Sequence, residues 1–297
     1  GLTEEKRARL YSSVARTPGL NLILKRHVEA TSPVCLLSFP KCGRTWVRIM
    51  VAKALQLYFR TPQVDILNLR RSEKRYPGFL GLVFIHDDAA HWRRPEELSE
   101  KKYQYKYKKI IFLVRDPRDV VVSIFFEKSK RLFSYLEGER REYPMLSSRT
   151  ITPYRGDLNA YLDEPVGGFE TILRFYNIWE RNKGVPSDLL LLRYEDIHHN
   201  PGRELRRVLD FVGMESVSEK LVRQVLDYSS FNSMRRMERN DQFKSDKLRP
   251  GNVNDGESFK VRKGKVGGYV EYLNGAQISR LTSQMNHELS SYFGYIR

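Results

Sequence analysis

Four short runs of almost unbroken apolar residues constrain this chain more than any other feature. They are Val34–Phe39 (VCLLSF), Leu82–Ile85 (LVFI), Lys109–Val114 (KIIFLV) and Asp188–Arg193 (DLLLLR). None alternates apolar with polar residues, so none offers one face to water. Runs of this length and character are strands of a parallel sheet covered on both faces. Stretches with helical spacing follow at 46–58, 117–135, 168–182, 201–211, 217–227 and 277–292. The pattern predicts one α/β domain over residues 1–297, with a central, mainly parallel sheet flanked by helices. Residues 1–30 read as an N-terminal helical lead, and the polar, turn-rich segment 239–258 as a mobile loop.

Each apolar run ends in polar residues: Pro40-Lys41, His86-Asp87-Asp88, Arg115-Asp116-Pro117 and Tyr194-Glu195-Asp196. In open parallel sheets ligands bind outside the carboxyl ends of the strands. Motifs far apart in sequence are therefore expected to share one cleft.

The first motif, FPKCGRTW (Phe39–Trp46), is a strand, a tight basic turn and a helix start, which outlines a phosphate cradle. Gly43 lets backbone approach a ligand closely, Arg44 and Thr45 offer amides at the helix start, and Lys41 supplies a mobile charge. The Walker pattern is absent, because Lys41 precedes the glycine. The second motif is FLVRDPRDVVVSIFF (Phe112–Phe126). Asp116 suits an N-cap and Pro117 a first helical position. Those roles leave Arg115 and Ser123 unexplained, and an Arg and a Ser near a helix start suit a phosphate. The third is SFKVRKGKVGGY (Ser258–Tyr269), where Arg262, Lys263 and Lys265 surround Gly264. By itself it reads better as a basic surface turn.

The net charge of +16 bears on partners. It admits nucleic acid, an anionic membrane, or an anionic substrate or carrier. The run KKYQYKYKK (Lys101–Lys109) interleaves Tyr with Lys as a nucleic-acid surface does. No run of eighteen apolar residues exists, so no membrane span is expected. The first thirty residues have mixed charge and no apolar core, unlike a signal peptide. Cys35 and Cys42 lie within one strand–turn unit, where neither a disulfide nor a zinc site is expected. A reducing, cytoplasmic setting follows as the expectation.

Taken in order, these motifs resemble the cytosolic-type sulfotransferases that use 3′-phosphoadenosine 5′-phosphosulfate (PAPS). PKCGRTW matches the family's P-K-S-G-T-T-W loop, RDPRDVVVS its R-x-P-x-D-x-x-x-S segment, and RKGKVG its R-K-G-x-x-G element. YED at Tyr194–Asp196 is also shared. The resemblance implies that Lys41 meets the 5′-phosphate and bridging oxygen. Cys42, Gly43, Arg44 and Thr45 complete that loop, and Trp46 stacks on adenine. It implies Arg115, Ser123, Arg262 and Gly264 at the 3′-phosphate, with Lys263 close by, and Tyr194, Ser229 and Phe231 at the nucleotide. His86, directly after the second strand, is the implied general base, with His91, Asp87 and Asp88 as substitutes. Cys42 stands where Ser is usual, Arg44 where Thr is usual, and Tyr269 where Trp is often found. The C-terminal dimerisation motif of the animal enzymes has no match, so the oligomeric state stays open.

The implied reaction is in-line sulfuryl transfer from PAPS to a hydroxyl or amine, leaving adenosine 3′,5′-bisphosphate (PAP). Lys41 and helix-start amides meet the developing charge, so no metal is expected. The surplus of positive charge points to an anionic acceptor or to a carrier protein that delivers one. Small phenols, alcohols, amines and glycans stay open. Two other readings compete: a P-loop small-molecule kinase, and a basic nucleic-acid-binding protein. The kinase lacks its G-K-[ST], and a polyanionic donor accounts for part of the basic surplus, so nucleic acid is not the expected partner.

Overall fold

The computed structural model describes residues 32–61, 66, 67, 69, 76–132 and 152–296. The expected helical lead at 1–30 lies outside the described residues. Four parallel strands form the sheet: β1 (Val34–Ser38), β2 (Val83–Ile85), β3 (Lys109–Val114) and β4 (Asp188–Arg193). Their spatial order is β2-β1-β3-β4. Leu36 pairs with Phe84 on one side and Ile111 on the other, and Phe112 with Leu191. All five β1 residues are buried, as are Ile110–Val114 of β3, which is why these strands carry no polar face. β2 and β4 are the edges, and the exposed Asp188 and half-buried Leu189–Leu191 of β4 reflect that position.

The helices fall into two groups. α1 (Arg44–Tyr58) packs with α6 (Pro201–Phe211) and α7 (Glu219–Tyr228). α2 (Pro117–Phe126) packs with the short α3 (Leu158–Leu162) and with α4 (Phe169–Arg181). α5 (Tyr194–His199) leaves β4 directly, α8 (Phe231–Arg239) follows α7, and α9 (Gly275–Glu288) comes last. Phe112 anchors one side of the sheet, its ring within 6.1 Å of Phe175, Tyr176, Trp179 and Phe293.

Several boundaries differ from the sequence reading for local reasons. α1 begins at Arg44 rather than 46, because Gly43 takes a left-handed conformation and turns the chain at once into the helix. α2 begins at Pro117 behind the Asp116 cap, whose carboxylate accepts from the Arg118 N–H, as expected. Its α-helical part stops at Phe126, and a wider turn carries Glu127–Arg131. α8 was not foreseen; the Ser230 hydroxyl caps it by accepting from the Ser233 N–H. Within 239–258, Leu248 and Ser258 are buried, and the Ser258 hydroxyl donates to the Asn252 and Asp255 carbonyls.

The Tyr/Lys run is only partly a surface. Lys102 is 1% exposed and ion-paired to Asp87 at 2.5 Å, and Tyr105 and Lys108 are buried as well. Tyr105 and Trp179 also donate to the Asp87 carboxylate, at 2.7 and 3.0 Å. Tyr103 and Tyr107 remain outside. The alternation serves a buried polar knot as much as an outer face.

Candidate active site

The carboxyl ends of β1, β2, β3 and β4 open on one cavity of about 580 Å³. The sequence-predicted residues Lys41, Gly43, Arg44, Thr45, Trp46, His86, Arg115, Ser123, Tyr194, Ser229, Phe231, Arg262, Lys263 and Gly264 all line it. Cys42 does not. Its thiol is fully buried, 3.3 Å from the Tyr176 hydroxyl, and burial pushes its pKa up to about 12. It is packing material behind the loop.

The first loop is shaped by two left-handed residues, Lys41 (φ 73°) and Gly43 (φ 102°). A Cβ on Gly43 would lie 2.6 Å from the Tyr194 ring, so glycine is needed twice over, for conformation and for space. No side chain caps α1, whereas α2, α3, α6, α7, α8 and α9 each have one. The first turn of α1 therefore presents its N–H groups and positive dipole end to the cavity. Lys41 reaches across and donates to Glu127 at 2.5 Å. The same carboxylate accepts from Arg131 at 2.7 Å, and Lys260 lies 3.7 Å away. Burial alone would raise Glu127, but Arg131, Lys41 and Lys260 hold it well below 4.5. Burial lowers the Lys41 ammonium, with Glu127 opposing.

Arg115 ties the three motifs together. It donates to the Lys41 carbonyl at 3.4 Å and to the Lys265 carbonyl at 2.8 Å, and pairs with Asp119 at 3.2 Å. Its guanidinium lies 4.3 Å from the centre of the Tyr194 ring. Its buried Nε–H has no partner, a costly state for a donor unless an anion completes it. Asp119 also accepts from the Gly267 and Tyr269 N–H groups, both at 2.9 Å, which fixes the RKGKVGG loop to α2. Gly264 (φ 62°) sits against Phe231, whose ring a Cβ would strike. Arg262 donates to Glu257 at 2.9 Å and to the Tyr272 hydroxyl, and Lys263 pairs with Glu271 at 3.1 Å. Trp46 packs 5.0 Å from His198 and 5.8 Å from Tyr194.

His86 has the geometry of a base. Its Nδ1 is 3.0 Å from the Ser38 carbonyl oxygen, which can only accept, so Nδ1 carries the proton and Nε2 the lone pair. Burial, then the charges of Arg44 and His91, hold its pKa well below 6.5, so the ring is neutral at pH 7. The His91 ring, also on the cavity wall, is 5.5 Å away. Asp87 is committed to Lys102, Tyr105 and Trp179, and Asp88 to Arg93 and the Ser99 N–H. Neither aspartate lines the cavity.

Several residues of the site were not read from the sequence. Tyr176 of α4 donates to the Arg115 carbonyl at 2.8 Å and accepts from its N–H at 2.9 Å, bracing the end of β3. Glu195, named above only as a polar residue at a strand end, accepts from the Asp116 N–H at 2.9 Å and from Tyr295 at 2.7 Å. Asp119 had a signal, as the second Asp of RDPRDVVVS, although no role was read for it. Glu127, Lys128, Arg131 and Lys260 had none, because tertiary packing alone brings them to the cavity. Among the described residues, no group of three or more His, Cys, Asp or Glu is placed to hold a metal ion. No helix of the described residues is long and apolar enough to cross a membrane.

The sulfotransferase domain family matches residues 31–293, and the chain belongs to that family of enzymes. Cytosolic sulfotransferase 17 of Arabidopsis thaliana is 24% identical, over 84% of this chain and 72% of its own length. Cytosolic sulfotransferase 1 of Danio rerio is 25% identical, over 82% of this chain and 78% of its own. The fold is similar to that of a mouse sulfotransferase complexed with PAP (TM-score 0.51, 19% identity, 86% of this chain and 84% of that one). It is likewise similar to retinol dehydratase in a complex with retinol and PAP (TM-score 0.53, 14% identity, 85% and 79%).

Proposed function

We propose that this enzyme transfers a sulfuryl group from PAPS to an acceptor hydroxyl. The observation that carries this reading is Arg115: one buried guanidinium joined to the Lys41 and Lys265 loops, with an unpartnered Nε–H at their meeting point. Two anion sites follow from it. Lys41 and the uncapped start of α1 take the 5′-phosphosulfate, and Arg115, Ser123, Arg262 and Gly264 take the 3′-phosphate, with Lys263 beside them. Trp46, Tyr194, Ser229 and Phe231 enclose the nucleoside. Cys42 contributes only through its backbone.

In this reading His86 Nε2 accepts the acceptor's hydroxyl proton as that oxygen bonds to sulfur. The bond between sulfur and the bridging oxygen breaks, and PAP leaves with the electron pair. Lys41, released from Glu127, meets the charge that grows on the leaving oxygen. His86 afterwards loses the proton to solvent. Positioning and fixed charge supply the rate, as in phosphoryl transfer.

The test is a panel of phenols, alcohols, amines and glycans incubated with PAPS and read by mass spectrometry for the added sulfuryl group. Transfer that His86→Ala reduces about 10²–10⁴-fold, with PAP affinity kept, supports the scheme. Full turnover by the His86→Ala protein would move the role to His91.

A further inference from the structure

Ten Lys and Arg side chains line the cavity, against one carboxylate, Glu127, among the described residues. Five of the ten, Lys41, Arg44, Arg115, Arg262 and Lys263, belong to the loops assigned to the donor. Its phosphate and phosphosulfate together carry about four negative charges. The donor thus accounts for Lys41, Arg115, Arg262 and Lys263, while Arg44 of the same loops acts on His86. Arg48, Lys128, Arg131, Lys247 and Lys260 are left over.

Four of these five have an evident local role. Arg131 and Lys260 face Glu127, Lys247 donates to the Leu67 carbonyl at 3.0 Å, and Arg48 lies over the Phe84 ring at 4.4 Å. Lys128 is different. It is 7% exposed and lies on the cavity wall. Its ammonium has three N–H groups and makes one hydrogen bond, to the Val166 carbonyl at 2.8 Å. Its other neighbours are the Trp92 and Tyr161 rings, at 4.9 and 5.4 Å. Among the described residues no carboxylate lies within 4.0 Å of it. Burial lowers its pKa to about 7, and Glu164, among the described residues the one acid that acts on it, restores only part of the loss. A buried cation without a counter-ion costs several kcal/mol, and an apolar residue of the same length would serve packing better. Its position gives a reason to keep it. Trp92 packs 5.1 Å from His91, whose ring is 5.5 Å from His86, so Lys128 lies along the same wall beyond the base. Leu82 and Leu132 line the cavity with them.

We infer that the acceptor is an amphipathic anion, with its hydroxyl at His86, its apolar body against Trp92, and a carboxylate or phosphate on Lys128. This rests on the sulfuryl-transfer reading and adds the chemical class of the acceptor to it. The ligand anion supplies the close counter-charge that no described carboxylate gives Lys128, so a neutral analogue of equal size leaves the buried ammonium without one.

Calorimetry on the PAP-saturated protein tests it with three probes of one skeleton: naphthalene carboxylate, naphthyl phosphate and the neutral naphthalene methanol. At least one anion should bind about 10–100-fold more tightly than the alcohol, the effect of a charge-assisted hydrogen bond. Which anion wins distinguishes carboxylate from phosphate acceptors. Lys128→Met should erase the preference, leave PAP affinity unchanged and keep or raise the melting temperature of the ligand-free protein. Equal binding of all three, binding of none, or a preference that survives in Lys128→Met would overturn the assignment. So would a melting temperature that falls in Lys128→Met and returns in Lys128→Arg without a change in anion preference, the mark of a packing role. PAP is titrated first on the same samples: failure to bind it would sink the sulfuryl-transfer reading, whereas normal PAP binding without an anion preference sinks only this one.

Discussion

Replacing Glu127 with Gln should weaken the ligand-free protein and strengthen its grip on PAP, two effects of opposite sign from one substitution. Glu127 accepts from Lys41 at 2.5 Å and Arg131 at 2.7 Å, and Lys260 stands 3.7 Å away. Gln keeps the size and one acceptor but removes the carboxylate charge that, among the described residues, these three cations share. Removing one partner of a buried ion pair costs about 3–5 kcal/mol. The retained amide oxygen places this case near the lower end, about 3 kcal/mol. Urea unfolding of the ligand-free protein should show that loss as a lower midpoint with an unchanged slope. For PAP the balance reverses. In the proposed reaction Lys41 leaves Glu127 to reach the 5′-phosphate, and a charge-assisted hydrogen bond of this kind contributes about 1.5–3 kcal/mol. Without that competitor, PAP should bind about 10–100-fold more tightly by calorimetry. The sign with pH also follows. The carboxyl is held well below 4.5, so its stabilisation is complete above that value and is lost as pH falls through the folded pKa. The gap between wild type and Glu127→Gln should therefore narrow only below pH 4.5. Unchanged stability, or weaker PAP binding, would refute the idea that Glu127 restrains Lys41.

Burial and the Arg44 charge depress the His86 pKa, so kcat/KM should stay level as pH drops past 6.5 and fall only below it; an inflection at or above 6.5 would show that His86 is not the limiting base. Gly264→Ala should weaken PAP about tenfold or more, because it strains a left-handed residue by about 1–3 kcal/mol and drives a Cβ into Phe231, and an unchanged dissociation constant would place the nucleotide elsewhere. Arg44 acts electrostatically on both His86 and Lys260, so Arg44→Thr should leave PAP affinity within about threefold while raising the acceptor KM; weaker PAP binding with an unchanged KM would assign Arg44 to the donor.

Much of the fold was legible because its signals are local. Lys109–Val114 and Asp188–Arg193 read as strands with the observed bounds; Ile110–Val114 is buried on both faces of the sheet and so has no alternative to being apolar. Asp116-Pro117 read as a helix start because a cap and a fixed φ need only their neighbours. The convergence of four strand ends followed from topology alone. What escaped depends on contacts between distant segments. Glu127 and Lys128 sit in IFFEKSK, which reads as the tail of a helix; only the wide turn after Phe126 aims them at Lys41 and Trp92. Lys102 and Tyr105 read as surface because nothing local shows that Asp87 and Trp179 will enclose them. Cys42 was grouped with the loop that binds, yet its side chain turns inward to Tyr176, a neighbour that the sequence places 134 positions away.

The most direct measurement compares PAP with adenosine 5′-monophosphate by calorimetry on the same protein. Arg115, Ser123 and Arg262 are proposed to form a second phosphate site, which only PAP can fill. Charge-assisted hydrogen bonds contribute about 1.5–3 kcal/mol each, so losing two should weaken binding at least about 100-fold. PAP binding tighter by that factor, with the difference abolished in Arg115→Met, is the expected result. Equal affinities for the two nucleotides would contradict the donor assignment on which the proposed reaction rests.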